Sequence, residues 1–184
     1  VGNDERLTQN EGQPGKRGVV TACSYEVREL GVHSGMSLND AGRLAPDAVY
    51  LSGRLRDYAS YSKKVRAVID DFSPSVQAAS IDEFFIDLAG CERMYAHPED
   101  RGPDETIQRT VWDLLHRIKQ EVGLPASVGI AAARPVAKIA SGLAKPRGVI
   151  MVPAGTEAEF LAPLPVGKFP GIGPVARGKL NAYG

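Results

Sequence analysis

The stretch Ser80-Ile81-Asp82-Glu83-Phe84-Phe85-Ile86-Asp87-Leu88 sets two adjacent carboxylates among apolar residues. Residues 76–80 and 84–88 are rich in β-formers and predict two short strands. Neighbouring residues on one strand point to opposite faces, so Asp82 and Glu83 side by side mark the junction between the strands. A bend there lets both side chains reach one site. Carboxylates in so apolar a setting are costly unless a cation or a hydrogen-bond network compensates them. A tight hairpin turn with both groups solvated fits the same residues, and the stretch taken alone favours that turn.

Before this stretch, Leu55, Tyr58, Ser62, Val65, Ile69 and Phe72 recur at steps of three and four. That period predicts an amphipathic helix whose apolar face is core. After it, residues 91–103 are polar and irregular and read as a surface excursion. Ile107, Val111, Leu114, Leu115, Ile118 and Val122 predict a second amphipathic helix, stopped by Gly123. Residues 126–130 read as a strand, Pro135 opens a helix that runs to Leu143, and residues 149–152 form the last strand. The order helix, two strands, helix, strand matches an α+β fold, a split βαβ (ferredoxin-like) sheet with helices on one face. A first strand is expected before residue 1.

Farther out, residues 3–16 are a polar loop and residues 18–24 a strand. Residues 25–30 form a short helical turn ended by Gly31. Tyr25 and Arg28 stand three apart, so a helix sets them on the same face. Ser37 caps a helix running to about Leu44, and residues 48–51 read as a short strand. At the other end, Phe169-Pro170-Gly171-Ile172-Gly173-Pro174 leads into a helical run from Val175. Such a Gly-x-Gly turn presents backbone N–H groups that can hold a phosphate. It serves equally as plain helix punctuation.

The 184 residues hold one good-sized domain, or a domain with pieces of others. Apolar residues make up 43% and charged residues 24%, the balance of a soluble globular protein. Net charge is zero but uneven, since residues 134–184 carry seven Lys or Arg against two Glu. A basic end suits contact with a polyanion, and solvated faces give the same clustering by chance. Cys23 and Cys91 are too few and too far apart for a disulfide framework or a metal site, and His33, His97 and His116 lack ligand spacing. No run is long or apolar enough for a membrane helix, and the start is not signal-like. A cytosolic, cytoplasmic location is the default expectation.

Five segments in this order resemble Y-family translesion DNA polymerases, most closely the bacterial DNA polymerase IV branch. They are Tyr25-Glu26-Val27-Arg28, Ser80-Ile81-Asp82-Glu83, Ser127-Val128-Gly129-Ile130, Ala137-Lys138-Ile139-Ala140-Ser141 and Leu143-Ala144-Lys145-Pro146. Leu164-Pro165-Val166 through Gly171-Ile172-Gly173 resembles the start of that family's helix-hairpin-helix thumb. The resemblance implies fingers over residues 3–54, a palm over 55–152 and a thumb fragment over 153–184. It also implies template-directed nucleotidyl transfer, the translesion synthesis of DNA repair, with Mg2+ as cofactor. Primer-template DNA and deoxynucleoside triphosphates are the implied partners, with a sliding clamp engaged through a C-terminal region absent here.

On matching positions, Asp82 and Glu83 are implied as the catalytic, metal-binding carboxylates. Hard divalent cations want such oxygens. Tyr25, Arg28 and Lys145 are implied contacts to the incoming triphosphate, where cations offset charge on the leaving group. Gly171, Gly173, Arg177 and Lys179 are expected to contact DNA phosphates. Lys138 also matches a motif lysine, and a DNA-backbone contact is one role open to it. Ala22 stands where many members carry Thr, Ala133-Arg134 where Asn-Lys is frequent, and Gly142 where Asp is frequent. Family members begin with a strand carrying a further catalytic aspartate and an aromatic steric gate. No such segment precedes Val1, so this chain alone is expected to be inactive in primer extension. A non-catalytic accessory relative that binds DNA or partner proteins is the alternative, and retention of Asp82, Glu83, Tyr25, Arg28 and Lys145 argues against it. A nucleotide cyclase with a similar palm is a third reading, opposed by the glycine hairpin and the basic end.

Overall fold

The computed structural model describes residues 18–183; the loop expected over residues 3–16 lies outside them. The chain divides into two units, one ending at Asp57 and the other starting at Tyr58.

The first unit carries two short helices, α1 (Tyr25–Glu29) and α2 (Leu38–Leu44). Each starts on a serine; the sequence reading predicts the cap at Ser37, whereas it places Ser24 at the end of a strand. Ser24 Oγ accepts from the Val27 N–H at 3.5 Å, and Ser37 Oγ accepts from the Asp40 N–H at 3.1 Å. Gly31, at φ +91°, turns the chain out of α1. Val20, Val32, Ala41 and Ala45 form the buried core beneath them.

Two expected strands are absent from this unit. The strand predicted over residues 18–24 shrinks to one bridge, Val19 to Ser37, flanked by bonds from the Val20 N–H to Met36 O and from the Leu38 N–H to Gly18 O. Its end is diverted because Ser24 is used as a helix cap. Residues 48–51 form no ladder either. The Ala48 N–H and the Tyr50 hydroxyl both donate to Ala45 O, folding the segment back onto the end of α2.

A long helix, α3 (Leu55–Asp70), leads into the second unit and packs its C-terminal half against α5 (Pro103–Val122). Val68, Ile69 and Phe72 meet Leu114 and Ile118 in the principal core. Truncating a core leucine such as Leu114 to alanine costs about 2–5 kcal/mol in comparable sites. Only this half of the predicted apolar face is core, since Leu55 and Tyr58 at its start stay exposed.

The strands β1 (Ser75–Ala78) and β2 (Phe84–Asp87) form an antiparallel hairpin, with Gln77 opposite Phe85 and Ala78 opposite Phe84. Val76, Phe84 and Ile86 lie on the core. The excursion after it is less irregular than its composition suggests. It holds one helical turn, α4 (Glu92–Tyr95), and is tied down at Asp100. That side chain is only 8% exposed and accepts bonds from the Arg109 guanidinium, the Thr106 hydroxyl and the His97 N–H.

Next come β3 (Val128–Ile130), α6 (Arg134–Leu143) and β4 (Val149–Met151), with β3 and β4 parallel and Gly129 opposite Ile150. Helix α6 lies tightly on β3. A Cβ at Gly129 would fall 2.0 Å from Ala137 O and 2.4 Å from Ser141 N, so only glycine fits. Val136, Ala140 and Val152 form a second core, closed by Phe160 and Leu161 of the next helix, α7 (Glu157–Leu161). A 3₁₀ turn at Val166–Lys168 and α8 (Pro174–Asn181) complete the chain.

The content is mixed α+β. Among the described residues the strands form two separate two-stranded sheets, β1–β2 and β3–β4. Helix α5 serves both, since Leu114 and Ile118 support the hairpin and α5 also touches β4. No described helix is long and apolar enough to cross a membrane.

Candidate functional site

The junction between β1 and β2 is a bend, as the paired carboxylates predict. The Ala79 N–H and Ser80 N–H both donate to Glu83 O, at 2.9 and 3.3 Å, and fold residues 79–83 into a tight turn. Asp82 lies exposed at its crest. The Ser80 hydroxyl donates to Asp82 Oδ1 at 2.5 Å and accepts from the Asp82 N–H at 3.3 Å, which fixes how the carboxylate is presented.

Glu83 answers to a different partner. The Lys138 ammonium donates to both of its carboxylate oxygens, at 2.5 and 2.7 Å. One turn earlier on α6, Arg134 hydrogen-bonds Gln77 and sets its guanidinium 5.6 Å from the centre of the Phe85 ring. The two arms keep step with the strand. Four residues along a helix advance about 6 Å, and two along a strand advance about 6.6 Å. Arg134 and Lys138 therefore meet Phe85 and Glu83 in register, on the strand face opposite Phe84. The motif match leaves a DNA-backbone contact open to Lys138, and in the structure its ammonium braces a carboxylate. Its spacing from Arg134 was the available signal, since residues four apart share a helix face.

Lys145 follows α6 directly, ahead of a cis Lys145–Pro146 peptide. It is exposed and pairs with no acid among the described residues. Between the second half of α6 and residues 167–170 lies a groove of about 310 Å³ bordered by Lys138, Ile139, Leu143, Lys168 and Phe169.

In the first unit, α1 brings Tyr25 and Arg28 together as their spacing predicts. The Arg28 guanidinium lies 5.8 Å from the Tyr25 ring centre, and Arg28 Nε donates to Cys23 O at 3.3 Å. Both side chains are exposed.

At the C-terminal end, Gly171 takes a left-handed φ of +86°, Gly173 caps α8 and Pro174 opens it. Arg177 and Lys179 stand two apart on α8, and residues so spaced do not share a helix face. Among the described residues, no group of three or more His, Cys, Asp or Glu side chains could hold a metal ion. The adjacent carboxylates of Asp82 and Glu83 offer two oxygen-donor side chains at one turn. As hard oxygen donors on an exposed turn, one already drawing a cation, they suit a hard divalent ion.

The chain matches the impB/mucB/samB family over residues 7–142 and the IMS family HHH motif over residues 155–184. It belongs to this family, the Y-family that its motifs resemble. It is 40% identical over 173 residues to a DNA polymerase IV of Dehalococcoides mccartyi, covering 94% of this chain and 42% of that protein. A DNA polymerase IV of Streptomyces coelicolor is 43% identical over 171 residues, covering 92% and 34%. The chain thus spans less than half the length of these relatives. Among solved structures, DinB from Sulfolobus solfataricus superposes with a TM-score of 0.81 at 27% identity, over 92% of this chain and 47% of that one. An insertion ternary complex of Dbh DNA polymerase superposes with a TM-score of 0.79 at 27% identity, over 97% and 48%.

Proposed function

We propose that this chain is part of a template-directed DNA polymerase of the translesion type, extending a primer with deoxynucleoside triphosphates. The observation that carries the reading is the exposed turn presenting Asp82 and Glu83, each held by its own partner. Relatives named DNA polymerase IV support it, at about two-fifths identity. Residues 55–152 are read as the palm, with the hairpin and the β3–α6–β4 unit as parts of a split ferredoxin-like sheet. Residues 3–54 are then the fingers and 153–184 the start of the thumb.

Asp82 and Glu83 would hold magnesium, which when bound favours the attacking 3′-oxygen and neutralises the leaving pyrophosphate. The chain's own residues do the positioning. Ser80 fixes the Asp82 carboxylate, and α6 fixes the hairpin through Arg134. Tyr25 and Arg28 share an exposed helix face suited to a triphosphate, with Arg28 offering the planar fork that binds phosphate oxygens. Lys145, in the second unit and free of any acid among the described residues, is assigned to the triphosphate by its motif match alone. Around Gly171 and Gly173, backbone N–H groups suit a DNA phosphate, a contact that positions the duplex without reading its sequence. Arg177 and Lys179, on different faces of α8, would serve separate phosphates. A sliding clamp is the expected protein partner.

The test is primer extension by the polypeptide that carries this chain. Asp82→Ala is expected to lower the rate by more than about 100-fold, the upper end of what loss of an outer metal partner costs. Extension that survives Asp82→Ala would sink the reading.

A further inference from the structure

Lys138 stands between two environments. On one side its ammonium is bound to both oxygens of Glu83. On the other its side chain borders the groove closed by residues 167–170, with Ile139 and Leu143 offering apolar wall and Lys168 across from it. Neither partner of the ion pair is deeply buried, with Glu83 35% and Lys138 41% exposed. A pair so open to water is weak and can be broken without stranding a charge in an apolar interior. Arg134 does not share this freedom, because its contacts to Gln77 and Phe85 anchor α6 to the strands whatever Lys138 does.

We propose that Lys138 is a cation placeholder: it occupies Glu83 in the metal-free protein and releases the carboxylate to an incoming divalent cation, its ammonium moving to the groove. The inference rests on the reading of Asp82 and Glu83 as metal ligands and adds how their site is kept and opened. Without a cation, the carboxylates of Asp82 and Glu83 are adjacent like charges at one turn, a disfavoured arrangement. The ammonium neutralises one of them and holds it in place. Once bound, a divalent ion competes for the same oxygens and repels the ammonium, so the two cations exchange. The apolar walls of the groove suit the lysine's methylene stem while the charged end reaches water.

Mn2+ binding to the chain, read from the electron paramagnetic resonance of free Mn2+, tests this with Glu83→Gln and Lys138→Met. Glu83→Gln should weaken binding. Lys138→Met should tighten it by about 1.5-fold to fivefold, the span an exposed ion pair supports. Binding that ignores Glu83→Gln overturns the metal assignment and the placeholder together. Binding that depends on Glu83 but is unchanged or weakened in Lys138→Met overturns the placeholder alone. A second measurement needs no substitution: labelling of Lys138 by an amine-reactive reagent, followed by mass spectrometry. Saturating Mn2+ should raise Lys138 labelling relative to Lys63, an exposed lysine on α3, and labelling that stays constant while Mn2+ binds overturns the proposal.

Discussion

Asp82 and Glu83 adjoin in one turn, yet their carboxylates are held by different neighbours. Ser80 holds Asp82 from within the turn, and Lys138 holds Glu83 from α6, across 55 residues of sequence. The division has a mechanical consequence. The turn itself orients the more exposed carboxylate, while the other is oriented by the packing of a helix on the hairpin.

Ser80 therefore has a role that its neighbours cannot replace. Ser80→Ala removes the donor to Asp82 Oδ1 and the acceptor for the Asp82 N–H while leaving the hairpin ladder untouched. Loss of such an outer partner typically costs about 10–100-fold in metal affinity or activity. Mn2+ affinity and primer extension should fall together within that span, with the melting temperature nearly unchanged. A large loss of stability with intact Mn2+ binding would show that the hydroxyl serves the turn and not the carboxylate.

Arg28 is exposed, so its removal should leave the fold alone. Its contacts are the Tyr25 ring and Cys23 O, both within the first unit. Arg28→Ala is expected to raise the KM for deoxynucleoside triphosphates by about tenfold, the worth of one charge-assisted phosphate contact. Arg28→Lys should restore only part of this, because an ammonium lacks the planar fork. A KM unmoved by Arg28→Ala would remove α1 from the triphosphate site.

The helices were legible in the sequence because their signals are local. Ser37 marks one start and Pro135 another, and the recurrence of Leu114, Ile118 and Val122 gives a buried face. Strands depend on a partner elsewhere in the chain, and here local composition misled. Residues 18–24 and 48–51 have β-forming composition but spend their hydrogen bonds on a helix cap and on turns. The site was half legible for the same reason. The carboxylate pair and the Tyr25–Arg28 face follow from spacing, whereas the closure of Lys138 on Glu83 depends on how α6 lies over the hairpin.

That placement of α6 hangs on Gly129. A side chain there would drive a Cβ into the backbone of α6, against Ala137 O and Ser141 N. Neither atom can rotate away, so the helix must shift. Gly129→Ala should destabilise the second unit by about 3 kcal/mol, the upper part of the range for overpacked cores, as read from urea unfolding. Displacing α6 also displaces Arg134 and Lys138, so Glu83 should lose its partner even where the protein still folds. Normal stability in Gly129→Ala would mean that α6 sits farther from β3 than described.

The excursion at residues 91–103 makes a prediction about pH. Hydrogen bonding from the Arg109 guanidinium, then from the His97 N–H, holds the Asp100 carboxyl well below the usual carboxylate range. Arg109 also donates to Tyr95 O at 2.5 Å, so the same ion pair ties α4 to α5. A carboxyl with a depressed folded pKa stabilises the folded state fully above its unfolded value, about 4. That contribution is lost as pH falls below 4 towards the folded value. Asp100→Asn should therefore melt lower than wild type at pH 7, by a gap that stays constant down to about pH 5 and narrows progressively below pH 4. Arg109→Met should lower the melting temperature and make it less sensitive to that acidic range, because its Asp100 lacks the partner that depresses it. A gap between wild type and Asp100→Asn that is the same at pH 3 and pH 7 would show that Asp100 acts through hydrogen-bond geometry alone, with its charge immaterial.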